Sequence, residues 1–262
     1  MKILFIGDIV GKPARLYLKD ALPRIIKKLD LDLVIANGEN AAGGSSLTPA
    51  TSKDIFDAGV DIVTSGDHIF KKKESREVLE NQDVLRPLNY GDKATGRGFI
   101  VKEFKGVNIG VINLLGRVFM QPADCPFKAV DKALKEIRRK AKVIIVDMHA
   151  EATSEKLAMG YFLSQKVSAV VGTHTHIPTA DARIIDDFTA YITDVGMTGS
   201  FDSVLGREKD QIIQRFITNM PVRFNLAQGD VRIQSVCIEI EDKTGRALSI
   251  ERLEYRKDDS SL

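Results

Sequence analysis

The sequence predicts an α/β fold with mixed sheets flanked by helices, and three observations support this prediction. Over residues 1–171, short apolar runs alternate with amphipathic helical segments, a pattern typical of strand–helix–strand units. From there to the C-terminus, short runs of alternating polarity indicate antiparallel strands. Polar residues, including all four histidines, directly follow several of the apolar runs. We therefore expect a functional site at the carboxyl ends of the strands.

The first part of the chain is read from its apolar runs and helix-start signals. The run at 2–7 is continuous, as expected for a strand buried on both faces. Pro13 suits the first turn of the helix that follows, and Thr48 followed by Pro49 is a cap and first turn. The predicted strands are 2–7, 32–36, 61–64, 99–102, 108–114, 143–147 and 168–171. The predicted helices are 13–29, 48–58, 126–140 and 154–165.

The second part is predicted to hold antiparallel strands around one helix. These strands are 182–185, 190–193, 231–239 and 248–255, and the helix is 209–217. Since the chain has no repeat, low-complexity tract or Pro/Ser-rich linker, we expect a single domain over 1–257. We expect the polar tail 258–262 to be frayed.

Composition excludes several classes of protein. Of 262 residues, 44% are hydrophobic and 28% charged, which is the balance of an ordinary globular protein. The net charge of +2 is too near neutral for a protein that coats nucleic acid, so no stable nucleic-acid complex is expected. No apolar run suits a signal peptide or a membrane span, which predicts a cytoplasmic protein without membrane contact. Cys125 and Cys237 fit free thiols in a reducing compartment at least as well as one disulfide.

Five predicted strands end on side chains that can bind metal. The residues concerned are Asp8, Glu39, Asn40, Asp67, His68, His149, His174 and His176. Any one of them alone is better explained as a cap, a turn residue or a surface histidine. Together, they place every histidine of the chain at one edge of the sheet among carboxylates.

The donor set indicates two metal ions. It is too large for one tetrahedral zinc, and nitrogen and oxygen donors without thiolate suit Fe, Mn or Zn better than Ca or Mg. Crowded carboxylates also need cations to offset their repulsion. A carboxylate such as Glu39 can bridge two ions about 3.5–4 Å apart, a spacing suited to in-line displacement at phosphorus. We expect a bridging hydroxide to be the nucleophile.

Several motifs resemble the YmdB family of bacterial calcineurin-like metallophosphoesterases. They are GDIVG at 7–11, ANGENAAGG at 36–44, SGDH at 65–68, NLLGRVFM at 113–120, DMHAEATSEK at 147–156, GTHTHIPTAD at 172–181 and TDVGMTG at 193–199. This resemblance covers essentially the whole chain. It implies an α/β sandwich, a di-iron or di-manganese centre and phosphodiesterase activity, typically opening 2′,3′-cyclic nucleotides to 3′-nucleotides.

The resemblance also implies a role for each residue of the set. Asp8, Glu39, Asn40 and His176 would hold one ion, with iron the first choice and manganese or zinc the alternatives. Glu39, as the bridge, would hold the second ion together with Asp67, His149 and His174. His68 is then the general acid that protonates the leaving oxygen.

The chain departs from the family pattern at one ligand. The family usually has Asn where this chain has Asp67, and His-Thr-Trp or His-Ile-Trp where it has His68-Ile69-Phe70. An aspartate still offers an oxygen ligand but adds a negative charge. We therefore expect tighter metal binding and a less acidic bridging water.

Three further features have more than one interpretation. Lys71-Lys72-Lys73 could attract an anionic substrate or form a solvated surface. Arg117 is a candidate phosphate-binding residue, with a surface ion pair as its alternative. Asp147 lies two residues before His149 and either supports it or caps the strand.

The leading hypothesis is a dinuclear-metal phosphodiesterase that acts on small nucleotide phosphodiesters. A phosphomonoesterase or an RNA-processing nuclease with the same centre is the alternative within the enzymes. A regulatory protein that senses cyclic nucleotides with little turnover is the alternative outside them. A dimer or tetramer would suit an enzyme of this size.

Overall fold

The computed structural model describes residues 1–257, so the predicted frayed tail lies outside the described residues. The helices are α1 (Gly11–Leu29), α2 (Pro49–Asp57), α3 (Ser75–Asn81), α4 (Pro126–Ile137), α5 (Thr153–Leu163) and α6 (Lys209–Thr218). The strands are β1 (Lys2–Ile6), β2 (Asp8–Ile9), β3 (Leu33–Asn37), β4 (Ile62–Thr64), β5 (Phe99–Phe104), β6 (Val107–Leu115), β7 (Val143–His149), β8 (Ala169–Thr173), β9 (Arg183–Ile185), β10 (Thr189–Ile192), β11 (Met197–Ser200), β12 (Val231–Ile240) and β13 (Ala247–Arg256).

The strands form two mixed sheets. The first has the order β2-β11-β12-β1-β3-β4, with β13 paired antiparallel to β12 along nearly the whole of that strand. The second has the order β5-β6-β7-β8-β10-β9. Within each sheet the central strands are parallel, β1 with β3 and β4 in the first and β6 with β7 and β8 in the second.

The two sheets pack face to face between two layers of helices. Alternate residues of β1 show this clearly, since Ile3 and Phe5 pack in the cluster between the sheets and Leu4 and Ile6 in the cluster under α1. A third cluster joins the second sheet to α4 and α5. Because the central strands are covered on both faces, their sequences are continuously apolar, as predicted.

The helix-start signals are also explained by the structure. Thr48 and Thr51 form a capping box at the beginning of α2, with Pro49 in its first turn. Pro126 opens α4 in the same way. The predicted mixed sheets flanked by helices are therefore confirmed, and the chain within residues 1–257 has no helix long and apolar enough to cross a membrane.

Some details of the prediction are wrong. We predicted 190–193 as a strand of the antiparallel group, but β10 pairs in parallel with β8 and antiparallel only with β9. The reason is that β9 reverses the chain once more before β10, so β10 runs in the direction of β8. The sequence reading missed α3, whose seven residues bury only three side chains and carry little periodicity. The helix predicted to end at residue 140 ends at Ile137.

Candidate metal centre

The predicted ligands converge where the carboxyl ends of the two sheets meet. Asp8 lies in β2, and the loop after β3 carries Glu39 and Asn40. Asp67 follows β4 in the same sheet. The second sheet contributes the histidines that end β7 and follow β8, at positions 149, 174 and 176.

Four of these side chains form a compact cluster. The donor atoms of Glu39, Asp67, His149 and His174 all lie within 4.8 Å of one another. His149 Nε2 is at the centre, 3.1 Å from Glu39 Oε1, 3.0 Å from His174 Nδ1 and 3.5 Å from Asp67 Oδ1. The structure thus brings together the four side chains that the family resemblance assigns to one ion.

The other three predicted ligands lie next to this cluster. His176 Nε2 is 3.8 Å from Asp8 Oδ1 and 3.2 Å from Asn40 Nδ2. Asn40 Nδ2 is in turn 3.3 Å from Glu39 Oε1, so Glu39 lies between the two groups of donors. A half-turn of the Asn40 amide would direct its oxygen, the atom a metal requires, toward this space.

The buried charge of the site fits a metal centre. Within residues 1–257, Asp8 Oδ1 and Asp67 Oδ1 are buried without a hydrogen-bond partner. Burial raises the pKa of Asp8 well above its usual range, and nearby Glu39 raises it further, although His149 opposes this. Unpaired carboxylate oxygens are costly to bury, so a cation is the partner that this arrangement lacks.

Gly66 leaves the space that two of the clustered side chains occupy. A Cβ atom there would lie 2.2 Å from His149 Cδ2 and 2.5 Å from Glu39 Oε2. Any side chain at this position would therefore displace two of the clustered donors. The glycine of the SGDH motif thus allows His149 and Glu39 to pack against the backbone at this position.

A hydrogen-bond chain holds His149 in the orientation of a metal ligand. His149 Nδ1 lies 2.8 Å from Thr173 Oγ1, and Thr173 Oγ1 donates to Asp147 Oδ1 at 2.7 Å. The Thr173 hydroxyl oxygen therefore accepts a hydrogen bond from His149 Nδ1–H. This leaves the lone pair of His149 Nε2 pointing into the cluster. Of the two interpretations of Asp147, the structure thus favours support of His149, which Asp147 provides through the Thr173 hydroxyl.

A buried ion pair holds the loop that carries His174 and His176. Lys156 Nζ lies 2.7 Å from Asp194 Oδ2, and both side chains are almost completely buried. The same carboxylate accepts from the backbone N–H and the hydroxyl of Thr175, at 3.0 and 2.8 Å. Because φ is 100° at His174 and 65° at His176, this loop is strained and needs such support.

Sequence reasoning assigned no role to Lys156 and Asp194, although both lie in quoted motifs, DMHAEATSEK and TDVGMTG. It also missed Glu151, whose Oε2 lies 3.2 Å from His174 Nε2. Asp194 offered a signal, since it follows the apolar strand run at 190–192, whereas Lys156 follows the polar residues 153–155 and offered none. Glu151 stands at an exposed strand end, where acidic residues are common, so its sequence offers no comparable signal.

His68 lies beside the cluster. Its backbone N–H donates to Glu39 Oε2 at 3.0 Å, and its Nδ1 is 2.9 Å from Asn40 Oδ1. Its Nε2 lies 3.7 Å from Asp67 Oδ2, and about a third of the side chain is exposed. The imidazole therefore borders both the clustered candidate donors and the solvent.

Arg117 is placed differently from the other predicted site residues. Its side chain is exposed, and within residues 1–257 its guanidinium has neither a hydrogen bond nor an ion pair. Its backbone N–H donates to Glu155 at 3.0 Å. A surface ion pair is thus absent from the described contacts, and phosphate binding stays a prediction.

Comparison with known proteins identifies the family. The family model described as YmdB-like protein matches residues 4–253. The chain belongs to the YmdB-like family. The predicted resemblance is therefore confirmed, and the motifs quoted above are those of a YmdB-like chain.

Individual relatives agree with this assignment. The chain is 44% identical to the 2′,3′-cyclic-nucleotide 2′-phosphodiesterase of Bacillus subtilis, over 97% of this chain and 96% of that protein. It resembles the solved structure of a phosphatase from Mycoplasma pneumoniae with a TM-score of 0.93, at 34% identity, over 99% of this chain and 95% of the other. A 5′-nucleotidase precursor of Thermus thermophilus shares the fold alone, with a TM-score of 0.58 at 13% identity, over 98% of this chain and 54% of the other.

Proposed function

We propose that this YmdB-like protein is a metal-dependent phosphodiesterase that hydrolyses small nucleotide phosphodiesters, with 2′,3′-cyclic nucleotides as the favoured substrates. The observation that carries the proposal is the cluster of Glu39, Asp67, His149 and His174 at the meeting edge of two sheets. The name of the Bacillus subtilis relative supports the substrate. The same enzyme class, a metal-dependent phosphodiesterase, was predicted from the sequence.

The metal centre is proposed to hold two ions, with iron favoured over manganese and zinc. Glu39, Asp67, His149 and His174 would hold one ion, and Asp8, Glu39, Asn40 and His176 the other. Bound ions would acidify a water molecule and offset the charge that develops on the phosphoryl oxygens. The thiolate-free donor set and the unpartnered oxygens of Asp8 and Asp67 support this choice.

His68 is proposed as the general acid. In the reaction, water adds to phosphorus, the P–O2′ bond breaks, and O2′ leaves with a proton to give a 3′-nucleotide. His68 is partly exposed beside Asp67, so its Nε2 can reach a leaving oxygen of a bound substrate. Asn40 contacts the ring at Nδ1, and Glu39 accepts from the His68 backbone N–H, so both hold the residue against the centre.

One further contact with the substrate is proposed in the loop that follows β6. Arg117 would bind a phosphoryl oxygen, since its guanidinium is exposed and has no described partner. The molecule that the protein binds is proposed to be a small nucleotide. The protein itself is proposed to assemble into a dimer or tetramer.

Elemental analysis combined with product analysis tests the proposal. Purified protein should contain about two transition-metal ions per chain and convert 2′,3′-cyclic AMP to 3′-AMP in a chelator-sensitive manner. Asp8→Ala and His176→Ala should each lose metal, whereas Asp131→Ala, on the exposed side of α4, serves as the control. Metal-replete protein that fails to hydrolyse any phosphodiester would contradict the proposal and favour a sensor of cyclic nucleotides.

A further inference from the structure

Two adjoining depressions lead away from the metal centre. The first, about 430 Å³, begins at Asp67 and is lined by Phe70, Tyr90 and Gln121 among others. The second, about 290 Å³, shares Phe70 with the first. They also share Ala94, so the two depressions are adjacent, and the first borders the candidate ligand Asp67.

The second depression is strongly positive. Its charged lining consists of Lys72, Lys73, Arg76 and Lys93, and no carboxylate lines it. Within the described part of the chain, none of these four cations has an ion pair or a side-chain hydrogen bond. We name these four residues the basic groove. A set of four unpaired cations in one concave surface raises the local concentration of anions.

The cations of the basic groove differ from others close to it in the chain. Arg97 and Lys102 each form an ion pair with Asp83, at 2.7 and 2.6 Å. Lys105 is likewise paired with Asp32 at 2.6 Å. These three cations thus have carboxylate partners, whereas the four cations of the basic groove have none within residues 1–257.

The first depression offers an aromatic wall. The rings of Phe70 and Tyr90 contact each other, with centroids 5.9 Å apart and planes tilted by 39°. Gln121 bonds the Tyr90 hydroxyl and also donates to the Asp67 backbone oxygen at 3.0 Å, which fixes the wall relative to the centre. Because the rings already contact each other, a base would stack on their outer surface.

We propose that the enzyme's preferred substrate is the 3′ end of a short single-stranded oligoribonucleotide that terminates in a 2′,3′-cyclic phosphate. The proposal rests on the phosphodiesterase function above. The terminal cyclic phosphate occupies the metal centre, and its base stacks on Phe70 and Tyr90. The preceding phosphodiester then lies in the basic groove. A mononucleotide has no such phosphate and leaves the groove empty.

The size of the groove limits the length that matters. A depression of about 290 Å³ accommodates one phosphate and its sugar rather than a long tract. The near-neutral net charge of +2 agrees with this limit, since no extended basic surface is needed. We therefore expect the gain from a second nucleotide to be large and the gain from a third to be small.

The experiment compares a cyclic mononucleotide, a dinucleotide and a trinucleotide that each end in the same 2′,3′-cyclic phosphate. For the holoenzyme, kcat/KM should rise about tenfold from the first to the second, and little thereafter. One phosphate contact to a single strand predicts that this ratio falls about fivefold when salt rises tenfold. Phe70→Ala should lower kcat/KM roughly tenfold for all three substrates, because each carries the terminal base.

Two matched triple variants isolate the groove. Combined Lys72→Ala, Lys73→Ala and Arg76→Ala should bring the dinucleotide-to-mononucleotide ratio close to one and remove its salt dependence. The control removes the same number of exposed cations elsewhere and should keep the ratio. Its substitutions are Lys19→Ala, Lys27→Ala and Lys243→Ala.

The remaining outcomes separate the two proposals. A ratio near one in the wild-type enzyme, with the mononucleotide hydrolysed, would overturn this inference and leave the phosphodiesterase function intact. Equal loss of the ratio in both triple variants would also overturn it, since overall charge would then be the cause. Hydrolysis of none of the three substrates by metal-replete protein would instead contradict the proposed function.

Discussion

Replacing Lys156 with methionine should destabilise the fold and weaken metal binding together. Methionine matches the length of the lysine stem but leaves the buried carboxylate of Asp194 without its cation. Removing one member of a buried ion pair costs about 3–5 kcal/mol. Asp194 keeps its hydrogen bonds from Thr175 and Gly196, so we expect about 3 kcal/mol, the lower end of the range.

Urea unfolding of the metal-free protein measures this cost, and metal content after dialysis measures its consequence. For a chain of this length, a loss of about 3 kcal/mol lowers Tm by about 6 °C. The control is Lys53→Met, which removes an exposed pair with Asp57 at the same distance of 2.7 Å. That substitution should cost less than about 1 kcal/mol and leave metal content unchanged.

Two results would refute the reasoning about this pair. Equal free energies of unfolding for the two methionine variants would show that losing the buried cation Lys156 costs no more stability than losing the exposed cation Lys53. A destabilised Lys156→Met protein that retains wild-type metal content would show that the pair supports the fold but not the histidine loop. In the second case the strained backbone at His174 and His176 must be held by other contacts.

Four further predictions concern the centre and the core. Gly66→Ala should lose metal because its Cβ would lie 2.2 Å from a histidine ring of the cluster, whereas Gly229→Ala, whose Cβ would make only an ordinary contact of 3.9 Å with Asp202 Cβ, should not. Elemental analysis measures the difference, and equal metal content would contradict the crowding argument. His68→Asn should retain metal and slow substrates with poor leaving groups more than those with good ones; equal slowing would exclude a general acid. Asp67→Asn removes a negative charge and should weaken metal retention during dialysis; unchanged retention and pH profile would show that the extra charge has no effect. Burial raises the pKa of Tyr191 to about 12, so the folded state favours the neutral phenol and the free energy of unfolding should fall between pH 10 and 12. Tyr191→Phe should reduce this pH dependence. An identical pH dependence in the variant would refute the assignment to Tyr191.

The positions of the candidate ligands were predictable because the strands that carry them are fully buried. A continuous apolar run indicates such a strand, and the polar residue that follows it must then lie at the carboxyl end of the sheet. Glu39, Asp67, His149 and His174 follow this rule, and their donors do cluster. Their assignment to particular ions came from the family resemblance and remains a proposal.

Polar residues inside the strands were not predictable in the same way. Asn113 lies within an apolar run and Asn37 at the end of one, and both are completely buried. Nothing local in the sequence distinguishes them from a strand residue near the surface. Their partners come from the opposite sheet, far away along the chain. The pairing of β10 with β8 was missed for the same reason, since strand neighbours depend on the whole topology.

These buried polar residues explain how a site built from two sheets keeps its geometry. Asn37 donates to Asp147 across the sheets at 3.1 Å. Asn113 exchanges two hydrogen bonds with the backbone of Ser65, at 3.0 and 2.8 Å. Apolar packing alone is non-directional and would let the sheets slide, whereas hydrogen bonds fix both distance and register. Ser65 and Asp147 each lie two residues before a candidate ligand, so these hydrogen bonds position the donors without a metal. A bound ion would then complete the site rather than assemble it.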